Sequence, residues 1–550
     1  MAVLAILTYF LPGLVVYWIL WIVYARWFHA CSKFPGPFLA SVSRLWLVGQ
    51  VLRNNVDEEE KELHRKYGPI VRVAPDQVII ADASAFKTIY GINSGFTKTD
   101  FYEVFMQPWQ RQRDLFTIRN EPHYATRRKI TAPVYTMSNV VRHERAIDTC
   151  SHLLVSALRT LASPSPSSPS SPPQKGSSSS KPPTQQEPAA DLSLWIRYYS
   201  FDVIGSLFFS RPFGFVAQRA DLQGWIRAGD ALTPVLTVLG VAPSYARPLI
   251  QLASALTPWL WTGLWSMVRM GVAAGRCVEE RRREVEKRRE GEGQGEGGEE
   301  KKKEKEEEEG KAAKEGDMLG ELMRVWEEKG KEVMYEAVEV KSEILTALVV
   351  GSDTTATEIT AILYYILKNP AAYRKLRDEI DAATADGKLS VPHVKYSEAA
   401  KLPYLDACCK EGMRLMPALG MALPREVPPG GREIAGQFFP GGVKVGINAT
   451  TLHRDKGVFG EDADEFNPER WLHKEVGNME KHMMHFGAGT RICVGKNIAL
   501  CEIYKIIPEL LRSFDFELAD PDRDWTHADG WLHKVSAIFT KVTVREVGDA

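Results

Sequence analysis

Phe486-Gly487-Ala488-Gly489-Thr490-Arg491-Ile492-Cys493-Val494-Gly495 is the stretch on which the reading of this chain turns. It ends a loop and runs into an apolar, helix-like segment from Lys496 to Phe514. Gly489 and Gly495 flank the cysteine and allow the positive φ angles and close backbone approach that a tight turn around a bound group needs. Such a turn frees backbone N–H groups to point at the sulfur. Arg491, two residues before the cysteine, and a helix start just after it both favour thiolate over thiol. A thiolate held this way serves as a nucleophile or as an iron ligand. The plainer alternative is a buried, inert cysteine in a glycine-rich loop.

Upstream, one long helical pattern runs from Tyr335 to Asn369. It is apolar enough to suggest a membrane span, but Asp353 and Glu358 near its middle argue for a helix buried through a large domain instead. Within it, Gly351-Ser352-Asp353-Thr354-Thr355 interrupts the apolar run. A glycine and back-bonding threonines there predict a local bulge, either a packing kink or an acid–alcohol pair aimed at a ligand. Glu411 and Arg414 share a helical face as an i, i+3 pair. Phe466-Asn467-Pro468-Glu469-Arg470-Trp471 follows. Earlier, a helix opening at Pro122 carries His123 and Arg127 one above the other, where a solvated basic face is the simpler reading.

These stretches together resemble the cytochrome P450 family. Phe486, Gly489, Arg491, Cys493 and Gly495 match its F-x-x-G-x-R-x-C-x-G loop. Glu411 and Arg414 match its E-x-x-R, and Phe466 to Trp471 its F-x-P-E-R-W. Gly351, Asp353, Thr354 and Thr355 match its [AG]-G-x-[DE]-T-[TS], whereas Val350 stands where the family usually has Ala or Gly. The wording around residues 452–471 and 487–516 is most like the microsomal fungal members of the pisatin-demethylase group.

The resemblance implies a mainly α fold with small β-sheets. It makes Cys493 the axial ligand of a haem b iron, with Phe486 and Gly351 also at the cofactor. Arg491, His123 and Arg127 would reach haem propionates, and Asp353 and Thr354 would relay protons during oxygen activation. Glu411, Arg414 and Arg470 would form a buried structural triad. The implied reaction is hydroxylation or demethylation of an apolar small molecule in fungal secondary metabolism. No dinucleotide or flavin motif is visible, so NADPH and flavins would act through a separate NADPH–cytochrome P450 reductase, with cytochrome b5 as a further donor. Docking is expected on the cysteine side, at Lys496 and Lys505. Two rivals remain open: a haem-thiolate isomerase or dehydratase using no O₂, and a non-catalytic haem-binding membrane protein.

The bulk numbers agree with a large globular domain: 550 residues, 44% hydrophobic, 25% charged. A formal net charge of −1 gives no reason to expect nucleic acid as a partner. Seven scattered cysteines with no C-x-x-C pair fit a reducing compartment. Asn448-Ala449-Thr450 is formally a glycosylation acceptor.

Residues 1–25 carry no charge and are long enough to span a bilayer, with Arg26 and Lys33 after them and Trp18, Trp21, Tyr24 and Trp27 near the end. They predict one uncleaved transmembrane helix in the endoplasmic reticulum, in contact with lipid, with the rest of the chain cytosolic. Residues 26–37 read as a proline-rich hinge and 38–550 as the catalytic domain. Low-complexity inserts at 163–190 and 279–316 interrupt that domain as disordered loops without catalytic part. Substrate choice is expected from the 94–120 loop, the 213–269 lid and residues 417–424, with Gln437 to Gly442 as a hairpin turn and 531–538 lining the pocket.

Overall fold

The structure, a computed structural model, describes residues 2–106, 113–162, 189–292, 316–333, 335–473 and 476–545. The first insert lies outside them except for its last two residues. The second is helical as far as Glu292, as the end of Pro258–Glu292, and otherwise lies outside them apart from Gly316.

The central element is the helix Ala337–Lys368. It is buried along most of its length because its apolar residues occur on nearly every face, as a helix surrounded by protein requires. Leu192–Phe209, Pro403–Leu415 and Lys496–Ser513 pack around it, and one continuous core of Leu, Ile, Phe and Cys side chains fills the space between. The ladder through residues 351–355 is unbroken, so the expected bulge does not form. Thr354 and Thr355 donate their hydroxyls to the carbonyls of Val350 and Gly351, both at 2.8 Å, without displacing the backbone.

A five-stranded sheet lies to one side, in the order Ile70–Ala74, Gln77–Ile80, Lys444–Gly446, Arg425–Glu426, Thr97–Lys98. Its last pair is antiparallel and sets Lys98 directly opposite Arg425. Gln437–Phe439 is itself a strand, paired with Arg432–Ile434, and the tight turn falls at Ala435-Gly436 instead. A second hairpin pairs His527–Asp529 with His533–Val535.

The N-terminal stretch is helical over Ala2–Val23 and continues as a π-helical turn to Phe28, so the hinge begins later than residue 26. Side chains there are described from Pro12 onward, and the expected span over 1–25 lies partly outside the described residues. Among the described residues, no helix is long and apolar enough to cross a membrane.

All seven cysteines are free. Asn448 is buried, its amide donating to Asp57, Glu60 and the carbonyl of Gly420, so it is not a glycosylation site in the folded chain.

Candidate active site

The cysteine loop is shaped by its glycines and closed on itself. Gly487 and Gly489 have φ of +69° and +60°. A Cβ on Gly489 would lie 2.0 Å from the carbonyl oxygen of Tyr90, so only glycine lets the loop press against the end of the helix Ala83–Tyr90. The Cys493 N–H donates to Phe486 O at 2.8 Å, and the backbone N–H groups of Gly495 and Lys496 point at the thiol.

Cys493 is both enclosed and bare. Desolvation by the surrounding protein is the largest influence on it and raises its pKa, while the two N–H groups, Arg128 and Lys496 pull it down. Yet its own surface is exposed. The two facts agree if the thiol faces an interior cleft rather than bulk water. The cations acting on the sulfur are Arg128 and Lys496, not Arg491 as the sequence spacing suggests.

The central helix shows the matching surface. Val350 is 38% exposed in mid-helix, and Ala347, Gly351 and Thr354 are partly open beside it, while the other faces of that turn are buried. The segment 113–131 bridges the two walls. Tyr124 donates to Thr490 O at 2.9 Å on the cysteine side, and Asp114 accepts from Thr346 at 2.6 Å on the helix side.

Asp353 and Thr354 face apart. Thr354 lies on the open strip with Val350, whereas the Asp353 carboxylate is buried and accepts from Arg197 at 3.1 Å and Lys534 at 3.0 Å. Burial opposes its ionisation, but Lys534 and Arg197 outweigh burial and hold its pKa at about 2. Gly351 serves packing: a Cβ there would lie 3.1 Å from Ile204 Cδ1 on the crossing helix.

Of the three expected propionate ligands, the two arginines each have a protein carboxylate. Arg491 pairs with Glu121 at 2.7 Å and lies 3.6 Å over the Tyr124 ring. Arg127, fully buried, pairs with Glu343 at 2.9 Å. His123 is on the same helix but exposed, so the two do not converge. Lys98 and Arg425 were missed in the sequence. Lys98 is buried, donates to Phe116 O at 2.6 Å and sits over the rings of Tyr102 and Phe116. Desolvation, then Arg425 and Arg491, push its pKa far below that of an ordinary lysine. Two like charges facing each other across a strand pair are destabilising and call for an anion. A haem fits what is present: a bare thiol inside the protein with N–H groups aimed at it, and beside it a buried excess of cations suited to two propionates.

Glu411, Arg414 and Arg470 do come together. Glu411 accepts from Arg414 at 2.8 Å through each oxygen, from Arg470 at 3.0 Å and from the Trp471 indole at 2.8 Å, all buried. Lys505, in contrast, is buried between Glu144 and Asp148 at 2.8 and 2.7 Å and is not available to a docking partner.

The family model described as cytochrome P450 matches residues 35–538. The cytochrome P450 monooxygenase gsfF of Penicillium aethiopicum is 38% identical over 99% of this chain and 100% of its own length. A pisatin demethylase of Fusarium vanettenii is 31% identical over 95% of this chain and 90% of its own. The cytochrome P450 monooxygenase cicH of Emericella nidulans is 30% identical over 94% of each. With matches of this extent joining the bare cysteine to its cleft, the chain belongs to the cytochrome P450 family and is a haem-thiolate monooxygenase.

Proposed function

We propose that the chain inserts one atom of O₂ into a C–H bond of an apolar small molecule of fungal secondary metabolism. The balance is RH + O₂ + NADPH + H⁺ → ROH + H₂O + NADP⁺. Where the carbon attacked is an O-methyl group, the product collapses to the demethylated alcohol and formaldehyde. The observation that carries this is the Cys493 thiol, surrounded by protein and faced by two backbone N–H groups yet exposed at its own surface. Haem b would be held by Cys493, with Arg425, Lys98 and Arg491 for its carboxylates, and when bound would supply the binding and activation of O₂. Thr354 Oγ1 is the protein's proton-handling atom at the cleft. Asp353 can hand it a proton only after releasing Lys534 or Arg197, so that ion pair sets the pace of proton entry.

Electrons come from NADPH through the flavins of a separate reductase, with cytochrome b5 as an auxiliary donor, docking near Lys496 and Arg128. Residues 1–25 anchor the chain in the endoplasmic reticulum, single-pass, with the catalytic domain in the cytosol. The test is the carbon monoxide difference spectrum of the reduced protein, wild type against Cys493→Ala. A strongly red-shifted Soret band in the wild type alone supports the assignment. Its absence from well-expressed, haem-loaded wild type removes Cys493 from the iron and the mechanism with it.

A further inference from the structure

Far from the cysteine in sequence, the hairpin His527–Asp529/His533–Val535 carries a second cluster. Its register pairs Asp529 with His533, and period-2 alternation puts His527 on that same face. The helix Val56–Tyr67 lies against this face and contributes Asp57. Ligand atoms of Asp57, His527 and His533 lie within 4.8 Å of one another.

The chemistry of the cluster is one-sided. His533 Nδ1 is 2.7 Å from the carbonyl oxygen of Pro417, which can only accept, so Nδ1 carries the proton and a neutral ring turns its Nε2 lone pair inward. That Nε2 is fully buried and has no hydrogen-bond partner; Asp529 Oδ1, 3.6 Å away, is also without one. Asp57 Oδ2 is 3.9 Å from the same nitrogen, and His527 Nε2 is 3.0 Å from Asp529 Oδ1. Three buried lone-pair bearers facing one another repel unless something positive lies between them. Lys61 reaches Asp57 Oδ2 at 3.1 Å from the solvent side, and Asn448 donates to Asp57 Oδ1 at 3.1 Å. Neither reaches His533 or Asp529.

The 3.6 and 3.9 Å separations from His533 Nε2 are too long for hydrogen bonds but suit ligands sharing one ion, which in tetrahedral geometry at about 2.0–2.1 Å stand about 3.4 Å apart. The ring cannot turn away. It is pinned by Pro417 and packs so closely on Gly420 that a Cβ there would lie 2.5 Å from Nε2. A carbonyl holding the far nitrogen of a histidine is the usual outer support of a metal ligand.

We propose that Asp57, His527 and His533 bind a divalent transition-metal ion, distinct from the haem iron, that clamps the hairpin to the helix Val56–Tyr67, with Asp529 supporting the two imidazoles. Two imidazoles and a carboxylate suit Zn²⁺ and its neighbours better than Ca²⁺ or Mg²⁺. The clamp reaches the active site through the same hairpin. Its opposite face presents Lys534 to Asp353, and its turn places Trp531 among Phe101, Tyr102 and Phe105.

The test uses full-length, tag-free, haem-loaded protein in detergent, with Zn²⁺ as the probe. Elemental analysis after gel filtration is expected to find one Zn per chain. EDTA is expected to lower the melting temperature of the wild type and Zn²⁺ to restore it. His527→Gln, at a partly exposed position, should weaken Zn²⁺ retention at least tenfold, keep the carbon monoxide band, and melt at a temperature indifferent to EDTA. Asp529→Asn serves as a second variant should His527→Gln not fold. Wild type that retains no Zn²⁺ and melts alike in Zn²⁺ and EDTA overturns the proposal, as does a variant that keeps its full equivalent.

Discussion

Asp353 and Lys98 show how differently two buried charges can be settled. Asp353 is held by two cations and its pKa lies at about 2, below the ordinary 3.8. Because the folded value is the lower one, the stabilisation is full above the unfolded pKa and is lost only as pH falls from about 4 toward 2. Asp353→Asn should therefore cost roughly 2 kcal/mol, and the deficit in melting should be flat between about pH 5 and 8. A deficit that grows or shrinks across that window contradicts the ion-pair account. Lys98 has no carboxylate bonded to it, and Arg425 stands opposite. If these cations await haem carboxylates, Lys98→Met or Arg425→Leu should speed haem loss about tenfold to a hundredfold, since a charge-assisted hydrogen bond contributes about 1.5–3 kcal/mol. Transfer of haem to apomyoglobin measures that rate directly. Neither residue was legible in the sequence. A cation in a two-residue strand has no periodicity to mark it, and Arg425 finds Tyr102 across 323 positions.

Whole elements were more readable, because their signals are local. The long apolar run of Ala337–Lys368 dictated a buried helix, and the glycines of the cysteine loop dictated its turn. The bulge at Gly351–Thr355 was misread because threonine back-bonding competes with the helical ladder without breaking it here. The face of each side chain was misread too: adjacent residues on a helix point about 100° apart, so Asp353 and Thr354, neighbours in sequence, address different faces of the element. The triad around Glu411 joins the helix Pro403–Leu415 to the turn Pro468–Leu472. Arg414 also donates to the carbonyls of His453 and Glu465, so one guanidinium ties three segments together. Glu411→Ala leaves the buried Arg414 guanidinium without a carboxylate and Arg470 with Asp462 alone, which costs about 3–5 kcal/mol. The expected result is a steep fall in folded, carbon monoxide-binding protein at constant expression, read as the ratio of the difference band to total chain. An unchanged ratio shows that the backbone carbonyls suffice.

At the scale of the molecule, exposed apolar side chains are not scattered evenly. Phe38, Leu39, Leu45 and Leu52 follow the N-terminal helix, and Leu249, Leu252, Leu256, Trp259, Trp261 and Trp265 stand on the helices Arg247–Ala255 and Pro258–Glu292 and the link between them. The two groups belong to connected parts of the fold. Trp21 donates to Val42 O at 2.8 Å, and Arg44 donates to Val241 O at 3.3 Å, at the end of the helix preceding Arg247–Ala255. If residues 1–25 anchor the chain as we propose, so many large apolar groups, tryptophan among them, near the entry of that helix are expected to form a second contact with lipid. A span and a surface contact differ in strength, which makes them separable. Full-length protein should resist both high salt and alkaline carbonate in microsomes. Deletion of residues 1–28 should leave protein that resists salt, because the remaining contact is apolar, but is released by carbonate. Adding Trp259→Ser and Trp265→Ser to the deletion should then release it without carbonate. A deletion variant already free in low-salt buffer would show that the second group of residues does not touch the membrane, and that the N-terminal segment alone holds the enzyme there.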